Sequence, residues 1–261
     1  AAVAEARRLD AALDVAADEL GAAEVERLGA LEAHGAVFEQ LDETAILERA
    51  AALLADGAML GWFQGRMEFG PRSLGGRSIL GDARLASMQS AINQKVKFRE
   101  SFRPFAPAVL EERAGEYFDL TAESPYMLLV ADVAKSQGLT SPADESAGFA
   151  RLKHARSTLP AVTHVDGSAR VQTVGRERHP FFWRLLRQFE QRTGCGVLLN
   201  TSFNVRGEPV VCTPDDAYRC FVNTAIDWLA IGPFLLSRER QPVEKPRPTE
   251  AGCPDTRSGR I

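Results

Sequence analysis

Residues 58–78 read AMLGWFQGRMEFGPRSLGGRS, and the architecture is built around this stretch. The run 58–64 is apolar, with the length and flanks of a buried strand. The run 65–78 that follows is too rich in Gly and Arg for either regular element and reads as a loop. Upstream, residues 1–31 are dominated by Ala, Glu, Leu and Arg, all strong helix formers. Asp42 is placed to cap a second helix over 43–56, whose Ile46, Leu47, Ala50, Leu53 and Leu54 repeat at helical spacing before Gly57 stops it. Downstream, residues 84–96 return to helical spacing through Leu85, Met88, Ile92 and Val96.

Further strands are expected at 106–110, 127–131, 162–165, 171–174, 197–200 and 228–231. Helices are expected at 180–193 and 214–222, the second capped by Thr213, with Pro214 at its first position and Asp215 and Asp216 in its first turn. Residues 135–157 are polar and rich in Gly, Ser, Pro and Asp, which suggests a mobile loop over one face. From Ser237 onward no periodicity remains. Strands and helices mix without a strict βαβ rhythm. The fold class is therefore α/β: a mixed twisted sheet flanked by helices. Three regions are expected: a helical linker or remnant of a preceding domain at 1–57, the main domain at 58–238, and a disordered tail at 239–261.

Composition narrows the function classes. Hydrophobic residues make up 45% and charged residues 25%, which is ordinary for a globular chain. A net charge of -4 and a pI near 5.7 give no global signal for nucleic acid or an anionic membrane. No run approaches the roughly 18 apolar residues of a membrane span, and charges stand where a signal peptide would be apolar. Cys195, Cys212, Cys220 and Cys253 form no CxxC pair, so neither a zinc site nor a disulfide scaffold is indicated, and a cytoplasmic setting is expected. His34, His154 and His179 show no ligand-like spacing, so no metal site is expected. The chain starts at Ala1 without an initiator Met, as expected of a piece of something longer.

Between Gly65 and Pro107 lie Arg66, Arg72, Arg77, Arg84, Lys95, Lys97, Arg99 and Arg103, against only Glu68, Asp82 and Glu100. The cations are interleaved with Gly, Pro and Phe rather than spaced as an exposed helix face. Arginine grips phosphate with a planar fork, lysine supplies a compact charge, and the amides of a glycine-rich loop such as 70–76 can line an anion. Phosphate or carboxylate binding is the reading preferred over a surface basic patch. A second stretch, 198–209 (LLNTSFNVRGEP), runs an apolar strand into Asn200, Thr201, Ser202 and Asn204, then Arg206 and Gly207. Small polar side chains at a strand's end can hold a ligand outside the sheet edge. Taken alone, the same residues read as a turn, an everyday use of Asn and Ser.

Four strings occur in order: GWFQGRMEFGPRSLGGRSIL, INQKVKFRESFRPFAP, LPAVTHVDGSARVQTV and TGCGVLLNTSFNVRGEPVV. Together, over roughly residues 58–236, they resemble the C-terminal, YrdC-like region of the O-carbamoyltransferases that decorate nodulation factors and aminoglycoside or cephalosporin antibiotics. The chain reads Gly70-Pro71-Arg72-Ser73-Leu74-Gly75 where members commonly have Ala at position 73.

The resemblance implies a two-step chemistry. A YrdC-like domain uses carbamoyl phosphate and ATP, accompanied by Mg2+, to make carbamoyl adenylate. A separate N-terminal actin-like domain, with a bound metal ion, then moves the carbamoyl group to an acceptor hydroxyl. By the family pattern of a lysine–arginine pair and an S-x-N pair, Lys97 with Arg103 and Ser202 with Asn204 take the catalytic positions. Arg72 becomes a phosphate clamp. Arg77, Asn200, Thr201, Arg206, His164, Asp166 and Arg170 are candidates for binding substrate or ATP. The His164–Asp166 pair can equally be structural, fixing a turn at Gly167. The partners implied are small molecules and the actin-like domain, with a homodimer conceivable and neither nucleic acid nor membrane. Two rivals stand beside this reading. One is a threonylcarbamoyl-adenylate synthase of tRNA modification. The other is a non-catalytic RNA-binding module that uses the 95–103 stripe with Phe98, Phe102 and Phe105.

Overall fold

The structure, a computed structural model, describes residues 21–139 and 155–242. In chain order the helices are α1 (Ala22–Ala33), α2 (Glu43–Ala55), α3 (Ala86–Lys95), α4 (Ala114–Tyr117), α5 (Pro180–Thr193) and α6 (Pro214–Val222). The strands are β1 (Glu39–Gln40), β2 (Leu60–Phe63), β3 (Arg77–Asp82), β4 (Ala106–Leu110), β5 (Leu129–Asp132), β6 (Ser168–Val174), β7 (Val197–Ser202), β8 (Trp228–Ile231) and β9 (Phe234–Ser237). They form one mixed sheet in the order β1-β9-β8-β2-β3-β7-β4-β6-β5. The β2–β8 and β4–β6 pairs are parallel and the rest antiparallel. This is the α/β class expected from the sequence.

Local chemistry explains the helix limits. Asp42 accepts a hydrogen bond from the Ala45 amide at 2.8 Å and opens α2. Thr213 and Asp216 form a reciprocal capping box with Pro214 at the first turn of α6. Gly194 ends α5 at a φ of 73°, a conformation that favours glycine. Along α5, Phe182, Leu185, Leu186 and Phe189 are all buried, each worth about 1.5–3 kcal/mol of transfer free energy. α5 packs on α2, and α6 lies against β2 and β8 with α1 on its outer side.

Four features differ from the expectations. First, the 65–78 loop ends two residues early, and the chain enters β3, whose six residues are all buried in the middle of the sheet. Polar Ser78 and Asp82 and the small Gly81 hide that strand in the sequence. Gly81 is required by packing: a Cβ there would lie 2.8 Å from the Met88 side chain. Second, 162–165 is not a strand. Thr163 donates to the Leu159 carbonyl at 2.8 Å and the His164 amide to Ser168 O at 2.7 Å, which curls the segment into turns. Third, the chain does not leave the fold after Ser237. Gly232 and Pro233 reverse it from β8 into β9, and Gln241 donates to the carbonyls of Val37 and Ser237.

Fourth, the described helices before residue 58, α1 and α2, share one buried core with the sheet. Leu31, Ile46, Leu47, Ala50 and Leu54 belong to the same buried cluster as Leu60, Trp62 and Phe203. His34 stacks on Tyr218 with ring centroids 4.7 Å apart and meets Asp215 at 2.5 Å, which fastens α1 to α6. Residues 1–20, 140–154 and 243–261, which hold most of the expected first helix, the centre of the 135–157 loop and most of the expected tail, lie outside the described residues. The described ends of the 135–157 loop are paired, with the Leu139 amide donating to Arg156 O at 2.9 Å.

Candidate functional site

β7 carries the polar string at its end. Strand alternation puts Asn200 and Ser202 on one face. Helix α3 ends at Lys95, and the turn after it returns Lys97 to the end of β7. That turn is fixed by the Lys97 amide bonding Ile92 O at 2.9 Å and by Phe98 at a φ of 46°. Lys97 is 5% exposed. Its Nζ donates to Ser202 O at 2.5 Å, Asn204 Oδ1 at 2.7 Å and Asn204 O at 2.9 Å, and lies 3.3 Å from Ser202 Oγ. Ser202 Oγ also donates to Asn204 Oδ1 at 2.7 Å. The lysine and the S-x-N pair expected from the sequence therefore form one hydrogen-bonded unit. Burial pushes the Lys97 pKa down to about 7, with the Arg99 charge adding to the effect.

This unit floors a cavity of about 350 Å3 lined also by Arg99, Glu100, Arg103, Thr201 and Arg206. Arg103 stands at its rim, 57% exposed on its side chain, with Glu100 3.9 Å away. Arg206 is exposed and Thr201 half-buried beside it. Asn93, fully buried in α3, shapes the rim: its Nδ2 donates to Ser101 O at 3.1 Å and Arg103 O at 2.8 Å, and its Oδ1 accepts from Arg99 Nε at 2.6 Å. Arg99 in turn lies over the Phe105 ring. Cations converge here around polar oxygens, an arrangement suited to a small, highly charged anion.

Arg72 and Arg170 form a second group. Arg170 is half-buried on β6. Burial lowers its pKa and the nearby Arg72 charge lowers it further. Its Nε and Asn200 Oδ1 are buried without a hydrogen-bond partner, two open valences near the sheet's end. Arg72 is exposed at the apex of the 65–76 loop. Asn200 itself turns its Nδ2 to Ser73 O at 3.1 Å and Gln172 Oε1 at 2.7 Å, so the loop and a neighbouring strand take up its donors.

Three candidates are engaged elsewhere. Arg77 is 5% exposed, donates to the carbonyls of Gln64, Gly65 and Gly76, and lies 3.5 Å from the Phe63 ring centre. Its guanidinium ties the loop's ends together and does not line the cavity. His164 Nδ1 meets Ser168 Oγ at 3.1 Å, while Asp166 Oδ1 accepts from the Ser168 amide and hydroxyl at 3.0 and 2.7 Å. These bonds close the turn at Gly167, whose φ is 87°. Arg84, one of the eight cations, grips the fully buried Asp82 at 2.6 Å.

A larger cleft of about 1020 Å3 lies between the start of α2, the start of α5 and the far side of the 65–76 loop. It is lined by Asp42, Glu43, Arg66, Glu68 and His179 among others, and by none of the Lys97 unit. Among the described residues no group of three or more His, Cys, Asp or Glu is placed to hold a metal ion, and no helix is long and apolar enough to cross a membrane. Asn93, Gln172 and Glu68 were not singled out from the sequence. The available signal was a polar residue at a position that helix or strand spacing turns inward, as Gln172 within Ser168–Val174.

Comparison with known proteins supplies the family. The sequence model of the carbamoyltransferase C-terminus matches residues 51–238. An uncharacterized protein of Synechocystis is 56% identical over 209 residues, 79% of this chain and 34% of its own length. Nodulation protein NolO of Bradyrhizobium diazoefficiens is 45% identical over 196 residues, 74% of this chain and 32% of its own. A 3'-hydroxymethylcephem-O-carbamoyltransferase of Streptomyces clavuligerus is 38% identical over 179 residues, 68% and 30% respectively. The chain thus spans about a third of the length of these relatives.

Proposed function

The chain belongs to the carbamoyltransferase family through the C-terminal region of its members, and from that premise we propose that it activates carbamoyl phosphate with ATP for O-carbamoylation. In this reading water attacks the carbonyl carbon of carbamoyl phosphate, the bond from that carbon to the phosphate-bearing oxygen breaks, and inorganic phosphate leaves with carbamate as the other product. A carbamate oxygen then bonds to the α-phosphorus of ATP and pyrophosphate leaves, giving carbamoyl adenylate. The observation that carries the reading is the Lys97 ammonium, buried and bonded to Ser202 and Asn204, at the floor of a cavity rimmed by Arg103 and Arg206. Both substrates are polyanions, and cations held in place by the fold stabilise the charge that gathers during transfer.

Lys97 and Arg103 neutralise the reacting phosphate oxygens, and Ser202 and Asn204 hold Lys97 and orient the carbamoyl group. Arg72 and Arg170 take the remaining phosphates, where the partnerless Arg170 Nε supplies a donor. Any Mg2+ arrives on the nucleotide, whose phosphate oxygens suit that ion. Transfer to the acceptor hydroxyl falls to an actin-like N-terminal domain of the kind the resemblance implies.

The test incubates the chain with ATP, Mg2+ and carbamoyl phosphate and follows pyrophosphate and phosphate release. Release that requires carbamoyl phosphate supports the reading. No release, or release only with threonine and bicarbonate, overturns it.

A further inference from the structure

The apex of the 65–76 loop is exposed while its base is held from two sides. Phe69, Gly70, Pro71 and Arg72 are open to solvent, whereas Ser73, Leu74 and Gly75 are buried. From below, Gln172 Nε2 donates to Leu74 O at 2.7 Å and Asn200 Nδ2 to Ser73 O at 3.1 Å. From the other side, Glu68 Oε1 accepts from the amides of Leu74 at 2.6 Å and Gly76 at 2.7 Å. The peptide groups flanking Leu74 are therefore tied at both the amide and the carbonyl.

Gln172 and Asn200 do not sit on adjacent strands. β4 runs between them, with Ala106 opposite Asn200 and Ala108 opposite Gln172. The two alanines lie on one face of β4 and leave room for the long amides to meet across it, Asn200 Nδ2 reaching Gln172 Oε1 at 2.7 Å. Gln172 is 0% and Asn200 2% exposed. Two residues along each strand, on the same face, come Arg170 and Ser202. On both strands the inner residue grips the loop and the outer one belongs to the anion site.

We infer that Gln172 and Glu68 are positioning residues that set Arg72 at a fixed place relative to Arg170 and Lys97. This rests on the reading of Arg72 as a phosphate clamp. An exposed arginine on an untethered glycine-rich loop would lose much of its effect to conformational freedom, and a displacement of about 1 Å at such a contact is costly.

The test is a double-mutant cycle on the full chain, with Mg2+-free pyrophosphate binding followed by calorimetry. Arg72→Ala and Gln172→Leu should each weaken binding about tenfold, and the double variant should be no weaker than Arg72→Ala alone. Glu68→Ala should repeat the loss and Glu68→Gln, which keeps an acceptor oxygen, should restore most of it. This second pair keeps the test available if Gln172→Leu fails to fold. Amide exchange at Leu74 and Gly76 should speed up in Glu68→Ala. If Arg72→Ala binds as the parent does, or the parent does not bind, the clamp reading fails and the inference with it. If Arg72→Ala weakens binding while Gln172→Leu or Glu68→Ala adds its own full loss on top, the clamp stands and the positioning role is overturned.

Discussion

Lys97→Met separates the charge of the buried lysine from its packing. Methionine keeps the length and apolar stem but takes the ammonium away from Ser202 O, Ser202 Oγ, Asn204 O and Asn204 Oδ1. Ser202 Oγ and Asn204 Oδ1 still share their own hydrogen bond, so the two carbonyls lose most, at about 1–3 kcal/mol each. Removing a buried ammonium returns a desolvation cost of several kcal/mol, so the two changes offset and the net effect at about pH 6.5 is within about 2 kcal/mol. The pH dependence has a definite sign. The folded pKa is lowered to about 7 from the ordinary 10.5. Below about 7 both folded and unfolded chains hold the proton and the residue adds no slope. Between about 7 and 10.5 the unfolded chain holds a proton that the folded chain has released, so this residue makes stability rise with pH. The parent should therefore gain on Lys97→Met by up to about 1.4 kcal/mol per pH unit above neutrality. Urea unfolding at about pH 6.5, 7.5 and 8.5 reads the difference directly. Pyrophosphate release at about pH 6.5, where Lys97 is charged, should fall about a hundredfold or more, since a fixed charge contact of this kind is worth roughly 3 kcal/mol. A stability gap that stays constant across the three pH values refutes the depressed pKa. Turnover within about fivefold of the parent refutes the electrostatic role.

Three further outcomes are expected. Arg77→Lys loses the guanidinium that bonds three carbonyls and lies over the Phe63 ring, and should cost about 1–3 kcal/mol in thermal or urea unfolding; stability equal to the parent's would refute the structural role. Asp166 is held below the usual carboxylate range by the Ser168 hydroxyl and amide, so its contribution is present above the ordinary aspartate pKa and lost as pH falls through the lowered one; Asp166→Ala should be less stable than the parent at neutral pH, with the gap closing in acid, and a gap that is unchanged at about pH 2 would contradict the assignment. His34→Ala removes the stack on Tyr218 and the contact with Asp215 and should cost about 1–2 kcal/mol with no change in turnover per folded molecule, because none of the three residues lines the Lys97 cavity.

The strand and helix pattern was legible wherever one face of an element met the core. α5 and α6 fall where their spacing and caps put them, and β4, β7 and β8 follow from continuous apolar runs. β3 was not legible because its burial is achieved by exceptions to composition: Gly81 makes room for Met88, Asp82 is neutralised by Arg84, and Arg77 bonds three carbonyls through one guanidinium nitrogen. Each exception is a tertiary contact that one-dimensional patterning does not contain. The join between α1, α2 and the sheet was hidden for a related reason. Ala-rich and Leu-rich helices look alike whether they belong to a linker or to a core, and only the shared burial of Leu31 and Ile46 with Trp62 distinguishes them.

The site shows the same division between chemistry and placement. Lys97, Ser202 and Asn204 could be named because the family resemblance implies a lysine and an S-x-N pair at these positions, and the fold brings them within hydrogen-bond reach. Arg77 and Arg84 carry the same charge in the same basic stretch, yet their guanidinium groups hold the chain together. Charge density alone therefore cannot assign function within residues 65–107. What separates the two sets is position. Lys97 and Arg103 line the cavity at the end of β7, whereas neither Arg77 nor Arg84 does. Asn200 likewise lies outside that lining, and both of its Nδ2 bonds go to Ser73 and Gln172, leaving only its buried Oδ1 open. In this fold the strand ends are layered: the amides of Asn200 and Gln172 one step inside the sheet hold the loop, and Ser202 and Arg170 one step outside lie at the proposed anion site. Two alanines on β4 make that layering possible, because any larger side chain there would part the amides that bridge it.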